Sequence, residues 1–530
     1  MNRSVIIPAA GLATRMKPLS KGVSKAMIPV NGRPLISYVI EKIYEANDVC
    51  EIVIVENEIG DIAEFVSRVY PDRDIKCVPQ GEKLGPLHAI NEGYKALDNY
   101  ASSITVWLGD TICLTEFNYY RDFLAVHEVP DPHRWCLVDK DGKLYDKPDG
   151  PVPVNTALIG VYNFCNRKAF AKSLEKGMRW PTHKGEYQIA ALLTAYMASE
   201  GPMELAHANE WYDCGELNTY YESKARLLSR TARSFNRMEV DTFYGTIEKS
   251  SEDVDKQNKI EAEKSWFLGL TEEQSLFCPR ILSSKHGVLR MEMVPGTALN
   301  EVLVYDNLRT DIWREIIRKI LQVHHNVFHT RTDDTVGWED ATLHCFEHYY
   351  IKTKKRVDEI RLHVDLQREV TKFLLDTGLE LSRGAVWSQV MHGDSHLGNI
   401  IYDPHSGNIK FVDPRGVFGN VWTQGDIRYD MGKLLQDFYC GYAMIMANRY
   451  RWNEDDELII DWVPGTENLS EFLEAELKEH GYNVEMLKKL AILLLITAIP
   501  FHADSPDRQK AMYMRGKSLI QEMQKHSTNK

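Results

Sequence analysis

Ser4-Val5-Ile6-Ile7-Pro8-Ala9-Ala10-Gly11-Leu12-Ala13-Thr14-Arg15 begins as a short apolar run and stops at a glycine-containing turn. Working outward from it, the β-rich runs EIVIVEN, IKCV and ITVWLGD alternate with the amphipathic stretches PLISYVIEKIYEA, DIAEFVSRVY and PLHAINEGYKAL. That alternation predicts βαβ crossovers and a mostly parallel sheet covered by helices on both faces. A turn after a buried strand exposes backbone N–H groups, and Arg15, Lys21 and Lys25 follow as cations, so a polyphosphate fits there. An ordinary turn with solvated cations has the same pattern. The site gains definition at Leu108-Gly109-Asp110-Thr111, where a hydrophobic strand ends in an acidic residue at the carboxyl edge of the sheet, the usual ligand position in open α/β folds. Asp110 is a candidate metal ligand.

The chain has 530 residues, 44% of them hydrophobic and 26% charged, enough to bury the cores of at least two domains. A net charge of −13 argues against a nucleic-acid scaffold that needs a broad cationic face. Nine cysteines, odd in number and without a CxxC pair, fit a reducing compartment, and the expected location is the cytoplasm. Val5 to Ala10 is too short for a signal peptide, and Leu490 to Phe501 is too short to span a bilayer and reads as a buried helix. No membrane insertion and no nucleic-acid partner are expected, and oligomeric state is left open.

From about 130 to 215 the pattern changes to strands with turn signals and one later helix near 186–199, as in an inserted acceptor-binding region. Residues 217–236 read as a stiff helical join, its cations a solvated face. A second domain starts near 235 with strand-like RMEVDTFYGTIEK, a helix containing IEAEKSWFLGL, and strands PRILSS and VLRMEMV. Beyond 305 the chain is mainly helical.

Val390-Met391-His392-Gly393-Asp394-Ser395-His396-Leu397-Gly398-Asn399 precedes an apolar run and then Ile409-Lys410-Phe411-Val412-Asp413. An aspartate, an asparagine five residues later and another aspartate at the end of a hydrophobic strand form the arrangement phosphoryl transfer needs. Asp394 orients the hydroxyl and accepts its proton, while Asn399 and Asp413 hold magnesium. His344 and His348 have helical metal spacing, and His324, His325 and His329 cluster upstream, but no carboxylate set accompanies them and they read as core histidines. The aromatics around Tyr349, Trp422 and Tyr442 read as core, so they do not select a quaternary ammonium substrate.

PAAGLATRMKPLSKGVSKAMIPVNGRPLISYVIEK resembles the signature of the nucleotidyltransferases that make sugar nucleotides and CDP-choline, over about residues 3–228. The resemblance implies that Ala10, Gly11 and Leu12 approach the nucleotide backbone to backbone, and that Arg15 and Lys25 grip its phosphates as catalytic cations. It further implies that Gln80 and Gly85 contact the base, that Asp110 and Asp213 bind magnesium, and that Lys147 and Glu186 meet the acceptor. Ser24, where a proline usually precedes the lysine, and Ala13, in place of a common glycine, depart from the pattern without removing a charge.

Residues 236–530 resemble the aminoglycoside phosphotransferase and choline kinase family, with Gly425-Asp426 and Tyr429-Asp430 in structural positions. This implies Lys249 on the ATP phosphates, Glu263 as its partner with Glu261 the competitor, and Met291 to Val294, centred on Met293, as the adenine-reading hinge. A full glycine-rich loop is missing.

Together the two likenesses imply an α/β Rossmann-like nucleotidyltransferase domain, 1–230, followed by an α+β bilobal protein-kinase-like phosphotransferase domain, 231–530. The latter has a small lobe over about 236–300 and a helical large lobe over about 301–530. The implied protein is a bifunctional, magnesium-dependent enzyme. It phosphorylates a small hydroxyl compound with ATP, then transfers a nucleotidyl group from a second NTP, CTP favoured, to give an activated sugar, polyol or amino alcohol for surface glycans. Choline kinase with phosphocholine cytidylyltransferase, a sugar kinase with UTP- or GTP-dependent transfer, and one half acting as a non-catalytic binding module are the alternatives.

Overall fold

The computed structural model describes the chain apart from residues 1, 12–15, 17–22, 47, 99–100, 149, 183–184, 232–236, 242–243, 307, 330–337, 420 and 529–530. The chain divides into two compact units, Met1–Leu227 and Leu228–Lys530.

The first unit is built on the strand Arg3–Pro8, which runs parallel to Val49–Glu56 on one side and to Ser103–Trp107 on the other. Among the described residues the sheet has nine strands. Ile75–Pro79 extends one edge in parallel, while Thr156–Phe164 joins Ser103–Trp107 antiparallel and carries the mixed remainder. Side chains alternate between faces along each strand. Ile6, Val53, Val55 and Val106 share a cluster with Leu87, Ile90, Phe170 and Leu192, while the alternate residues Val5, Ile7, Ile52 and Ile54 are also fully buried. Each such side chain contributes about 1.5–3 kcal/mol on burial, which favours a sheet covered on both faces over an exposed one. The helix Pro86–Ala96 seats so closely that a Cβ on Gly93 would lie 2.5 Å from Ile6 Cγ2.

The region 130–215 holds two helices, Arg167–Gly177 and Ile189–Glu200, where the sequence predicts one. The first is capped by Asn166, whose side chain accepts from the Ala169 N–H, and it buries Ala169, Phe170, Ser173 and Leu174. Its apolar face is made largely of small residues, so its period is weak. The join is the helix Leu217–Thr231; the rest of the predicted stretch, 232–236, lies outside the described residues.

The second unit opens with a four-stranded antiparallel sheet in the order Arg237–Asp241, Thr246–Ser250, Val288–Glu292, Ile281–Lys285. The helix Val254–Leu268, capped by Asp253, follows the second strand. Beyond it the chain is mainly helical. The helices Arg428–Phe438 and Val484–Thr497 pack so tightly that a Cβ on Gly432 would meet Leu490 Cγ at 2.6 Å. The predicted buried helix at Leu490 begins earlier, at Val484, and gives way to a short 3-10 turn that leaves Phe501 exposed. No described helix is long and apolar enough to cross a membrane, and all nine cysteines are free thiols.

Candidate active sites

At the carboxyl edge of the first sheet, Gly109 donates to the Pro8 carbonyl at 3.0 Å, and a Cβ on Gly109 would lie 2.8 Å from Ala9 Cβ. This close approach places Asp110, the next residue, at the end of the strand Arg3–Pro8. Leu12 and Arg15, and with them Lys21, lie outside the described residues. Ser24 takes its place through contacts a proline cannot make. Its N–H donates to Asp61 Oδ2 at 2.8 Å and its hydroxyl to Asn57 Oδ1 at 3.2 Å and to Asp61. The next residue, Lys25, reaches Asp110 Oδ2 at 2.5 Å. Asp213 ends the strand Trp211–Asp213, which pairs antiparallel with Thr111–Cys113 so that Asp213 faces Thr111. Register alone therefore brings the second aspartate beside the first.

Burial would lower the Lys25 ammonium, but Asp110 and, less strongly, Asp213 outweigh it and hold the group above the ordinary lysine value. Asp110 is raised by burial and pulled below the usual carboxylate range by Lys25. Asp213 goes the other way: burial, with Asp110 adding like charge, raises it against the Gly215 hydrogen bond. Asp213 Oδ1 accepts that N–H at 2.8 Å, whereas Oδ2 is buried without a hydrogen bond among the described residues and has the Arg134 guanidinium 3.6 Å away. A carboxylate oxygen left open next to a second carboxylate suits a hard divalent cation.

Gln80, Gly85 and Glu186 come together. The Gln80 side-chain amide donates to the Gly85 carbonyl at 3.0 Å, and Gly85, at φ +96°, lies against Glu186 and Tyr187, where a Cβ would meet Glu186 Cβ at 2.7 Å. Lys147 is exposed at φ +44° and donates its N–H to the Trp135 carbonyl at 3.0 Å. The residue before Trp135 is Arg134, which sequence reasoning missed. It pairs with Asp213 at 3.6 Å and Glu216 at 3.2 Å. It ends the 3-10 turn Pro132–Arg134, which is too short to carry a period or motif that would mark it.

In the second unit Lys249 projects from the strand Thr246–Ser250 and meets Glu263 Oε1 at 2.7 Å and Asp413 Oδ1 at 2.6 Å. Glu261 faces elsewhere, pairing with Lys264 at 2.6 Å and accepting the Gly287 N–H. Burial would lower Lys249, but Asp413 and Glu263 raise it; burial raises Glu263 to about 7 against the pull of Lys249. Asp413 is held at φ +57°, and Gly416 just after it lies so close to the helix Val254–Leu268 that a Cβ would meet the Ala262 carbonyl at 2.3 Å. Asn399 donates its side-chain amide to the Asp394 carbonyl at 2.9 Å, which turns its Oδ1 the other way. Asp394 Oδ1 lies 3.0 Å from Lys433 Nζ.

The expected hinge, Met291 to Val294, spans the end of the strand Val288–Glu292. The strand ends at Glu292, and the Met293 N–H is taken by the Gly245 carbonyl at 2.8 Å, so that donor is not offered to a base.

Asp430 organises the loop before Asp394. It accepts the N–H groups of His392 at 3.0 Å and Gly393 at 2.7 Å and the Ser395 hydroxyl at 3.2 Å. Burial opposes its ionisation, but the His329 hydrogen bond and neighbouring imidazoles hold it down to about 2. His324, His329 and Asp430 form the one compact group with metal-like donors among the described residues. His344 and His348 are not part of it; His348 accepts the Gly419 N–H and stacks on Phe418 at 4.0 Å.

Asp437 on the helix Arg428–Phe438 accepts the Leu397 N–H at 2.6 Å, yet burial pushes its carboxyl up to about 7 against that bond. The folded chain therefore keeps a proton on Asp437 that the unfolded chain releases near pH 4. This group's share of stability is complete at low pH and declines as pH rises towards about 7. Thermal melting of wild type and Asp437→Asn at pH 5 and pH 8 should show a smaller fall between the two pH values in the variant. An equal or larger fall contradicts the assignment.

Residues 4–230 match the nucleotidyl transferase family. A UTP–glucose-1-phosphate uridylyltransferase of Staphylococcus haemolyticus is 30% identical over 205 residues, covering 30% of this chain and 70% of that one. The chain belongs to the nucleotidyl transferase family. A putative mannose-1-phosphate guanyltransferase of Sulfolobus acidocaldarius is 29% identical over 30% of this chain and 48% of its own length. The low-salt glycan biosynthesis nucleotidyltransferase Agl11 of Haloferax volcanii is 26% identical over 42% of this chain and 65% of its own. The chain thus spans less than two thirds of the latter two relatives. The nucleotidyl transferase match ends at 230, close to the end of the first compact unit, and holds Lys25, Asp110 and Asp213 within it.

Proposed function

We propose that the protein is a bifunctional enzyme whose second unit phosphorylates a small hydroxyl compound with ATP. Its first unit then joins the resulting phosphate to the nucleotidyl group of an NTP. The observation that supports the first unit's role best is the convergence of Lys25, Asp110 and Asp213 at the sheet edge, within the family match. For the second unit it is Lys249 held between Glu263 and Asp413, with Asp394 one turn of loop from Asn399.

In the first unit the acceptor's phosphate oxygen attacks the α-phosphorus of the NTP, a new P–O bond forms, and the bond to the β-phosphate oxygen breaks to release pyrophosphate. Two anions must meet, so the rate comes from cations and positioning and no protein nucleophile is needed. Lys25 stabilises the departing pyrophosphate; Lys147 and Glu186 receive the acceptor; Gln80 and Gly85 border the base. In the second unit Asp394 orients the hydroxyl and takes its proton as the oxygen bonds to the γ-phosphorus and ADP leaves. Asp110 and Asp213 are the residues that would hold magnesium in one site, and Asn399 and Asp413 in the other. The ion supplies positive charge against the phosphate oxygens.

The acceptor of the first unit is read as a sugar or polyol phosphate, in keeping with the sugar phosphates in two relatives' names, and the product as a building block for a surface glycan. The two relatives named for uridylyl and guanyl transfer differ in base, so the base is tested directly. Pyrophosphate release with sugar and polyol phosphates is measured with CTP, UTP and GTP in turn. The largest rate is expected with CTP. A preference for UTP or GTP contradicts the base assignment, and no release with any NTP contradicts nucleotidyl transfer.

A further inference from the structure

Ser24 carries no charge, yet it is 1% exposed and fixes the residue beside it. It leads into the 3-10 turn Lys25–Met27, its carbonyl accepting the Met27 N–H at 2.9 Å. Its backbone is extended at φ −63°, ψ 148°, inside the range a proline ring imposes. No ring enforces that angle here. Both oxygens of one carboxylate hold the residue instead: the Ser24 N–H donates to Asp61 Oδ2 at 2.8 Å and the Ser24 hydroxyl to Asp61 Oδ1, with Asn57 Oδ1 3.2 Å from the same hydroxyl. Asn57 is itself fixed just past the strand Val49–Glu56, its Oδ1 accepting the Ile59 N–H at 2.9 Å.

Asp61 opens the helix Asp61–Val69, where an acidic residue ordinarily serves the first turn. In this helix the Ala63 N–H is taken by Glu56 Oε2 at 3.2 Å, and Asp61 spends its carboxylate on a residue 37 positions earlier. Lys25 meets Asp110 Oδ2 at 2.5 Å from the end of a flexible four-carbon stem, so the backbone at Ser24 decides where the ammonium can reach. We infer that Asp61 is a positioning residue for nucleotidyl transfer: through Ser24 it fixes the start of the Lys25–Met27 turn and aims the Lys25 ammonium at Asp110 and the phosphates of the NTP. Asp61 touches no substrate. The inference rests on Lys25 as the phosphate-binding cation and names what holds it in place. An acid that only stabilised its own helix would do so whatever residue stood at 24, so the two roles part when Ser24 is changed.

The test follows pyrophosphate release in the full chain, with the sugar phosphate and NTP that wild type turns over fastest. Asp61→Ala should lower kcat about tenfold with KM for the NTP within about twofold, because a loosely held cation loses more in the transition state than in the ground state. Ser24→Pro sets the same φ without a carboxylate, so the double variant Ser24→Pro/Asp61→Ala should recover to within about threefold of wild type. Asp61→Asn keeps the side-chain shape and one acceptor oxygen and should fall between. Titration of the Lys25 ammonium by NMR in the ligand-free chain reads the same hold without turnover. In Asp61→Ala the group drifts from Asp110 and should move down towards the ordinary lysine value, and in the double variant it should return. A double variant no more active than Asp61→Ala, Asp61→Ala turning over as wild type, or a Lys25 titration indifferent to Asp61 overturns the inference. Failure of the underlying reading shows separately, as Lys25→Met releasing pyrophosphate as fast as wild type, while the titration still reads the hold of Asp61 on Lys25.

Discussion

Asp394→Ala should lower ADP release by about a thousandfold while pyrophosphate release from a supplied phosphorylated acceptor stays within twofold of wild type. The expected size is that of removing a positioned general base, about 4 kcal/mol in the barrier. The substitution also frees Lys433 from its partner at 3.0 Å, so a general loosening of the loop is a competing cause. Lys433→Met separates the two, because it breaks the ion pair and leaves the base in place. It should cost much less than Asp394→Ala. Equal losses contradict the base assignment.

Asp110→Ala should have the converse effect: pyrophosphate release falls by about a thousandfold and ADP release is unchanged. The substitution removes one of the two carboxylates that converge on Lys25 and withdraws the main attraction holding that ammonium above its ordinary value. The Lys25 pKa should therefore drop, since burial, which lowers it, then acts with less opposition. Titration of the Lys25 ammonium by NMR in wild type and variant checks this independently of turnover. A pKa that stays put, or ADP release falling in parallel, contradicts the local account.

The sequence carries the strand-and-turn frame of the first unit because its apolar runs are continuous where both faces are buried, as in Ile6 and Ile7. It carries Asp394, Asn399 and Asp413 because loop chemistry compresses them into one stretch. What escapes it is convergence over long separations with no local pattern. Arg134 meets Asp213 from the end of a single 3-10 turn. Asp430 ties the loop before Asp394 from a helix 37 residues beyond Gly393. Lys433 looks like an ordinary solvated helix charge until the fold places it 3.0 Å from Asp394. The helix Arg167–Gly177 is hidden for another reason: Ala169, Ser173 and Gly177 on its buried face are too small to give a strong apolar period. Ser24 is the reverse case, a departure from the family pattern whose contacts to Asn57 and Asp61 replace what proline rigidity would supply.

The central claim is that two chemically separate sites act in succession on one polypeptide. It is tested most directly by following the nucleotide conjugate, by phosphorus NMR, from ATP, NTP and the unphosphorylated acceptor. Asp394→Ala and Asp110→Ala should each make none alone, and an equal mixture of the two should form it, because the phosphorylated intermediate made by one chain is used by the other. A mixture as inert as its components, or either variant alone completing the sequence, would contradict the account.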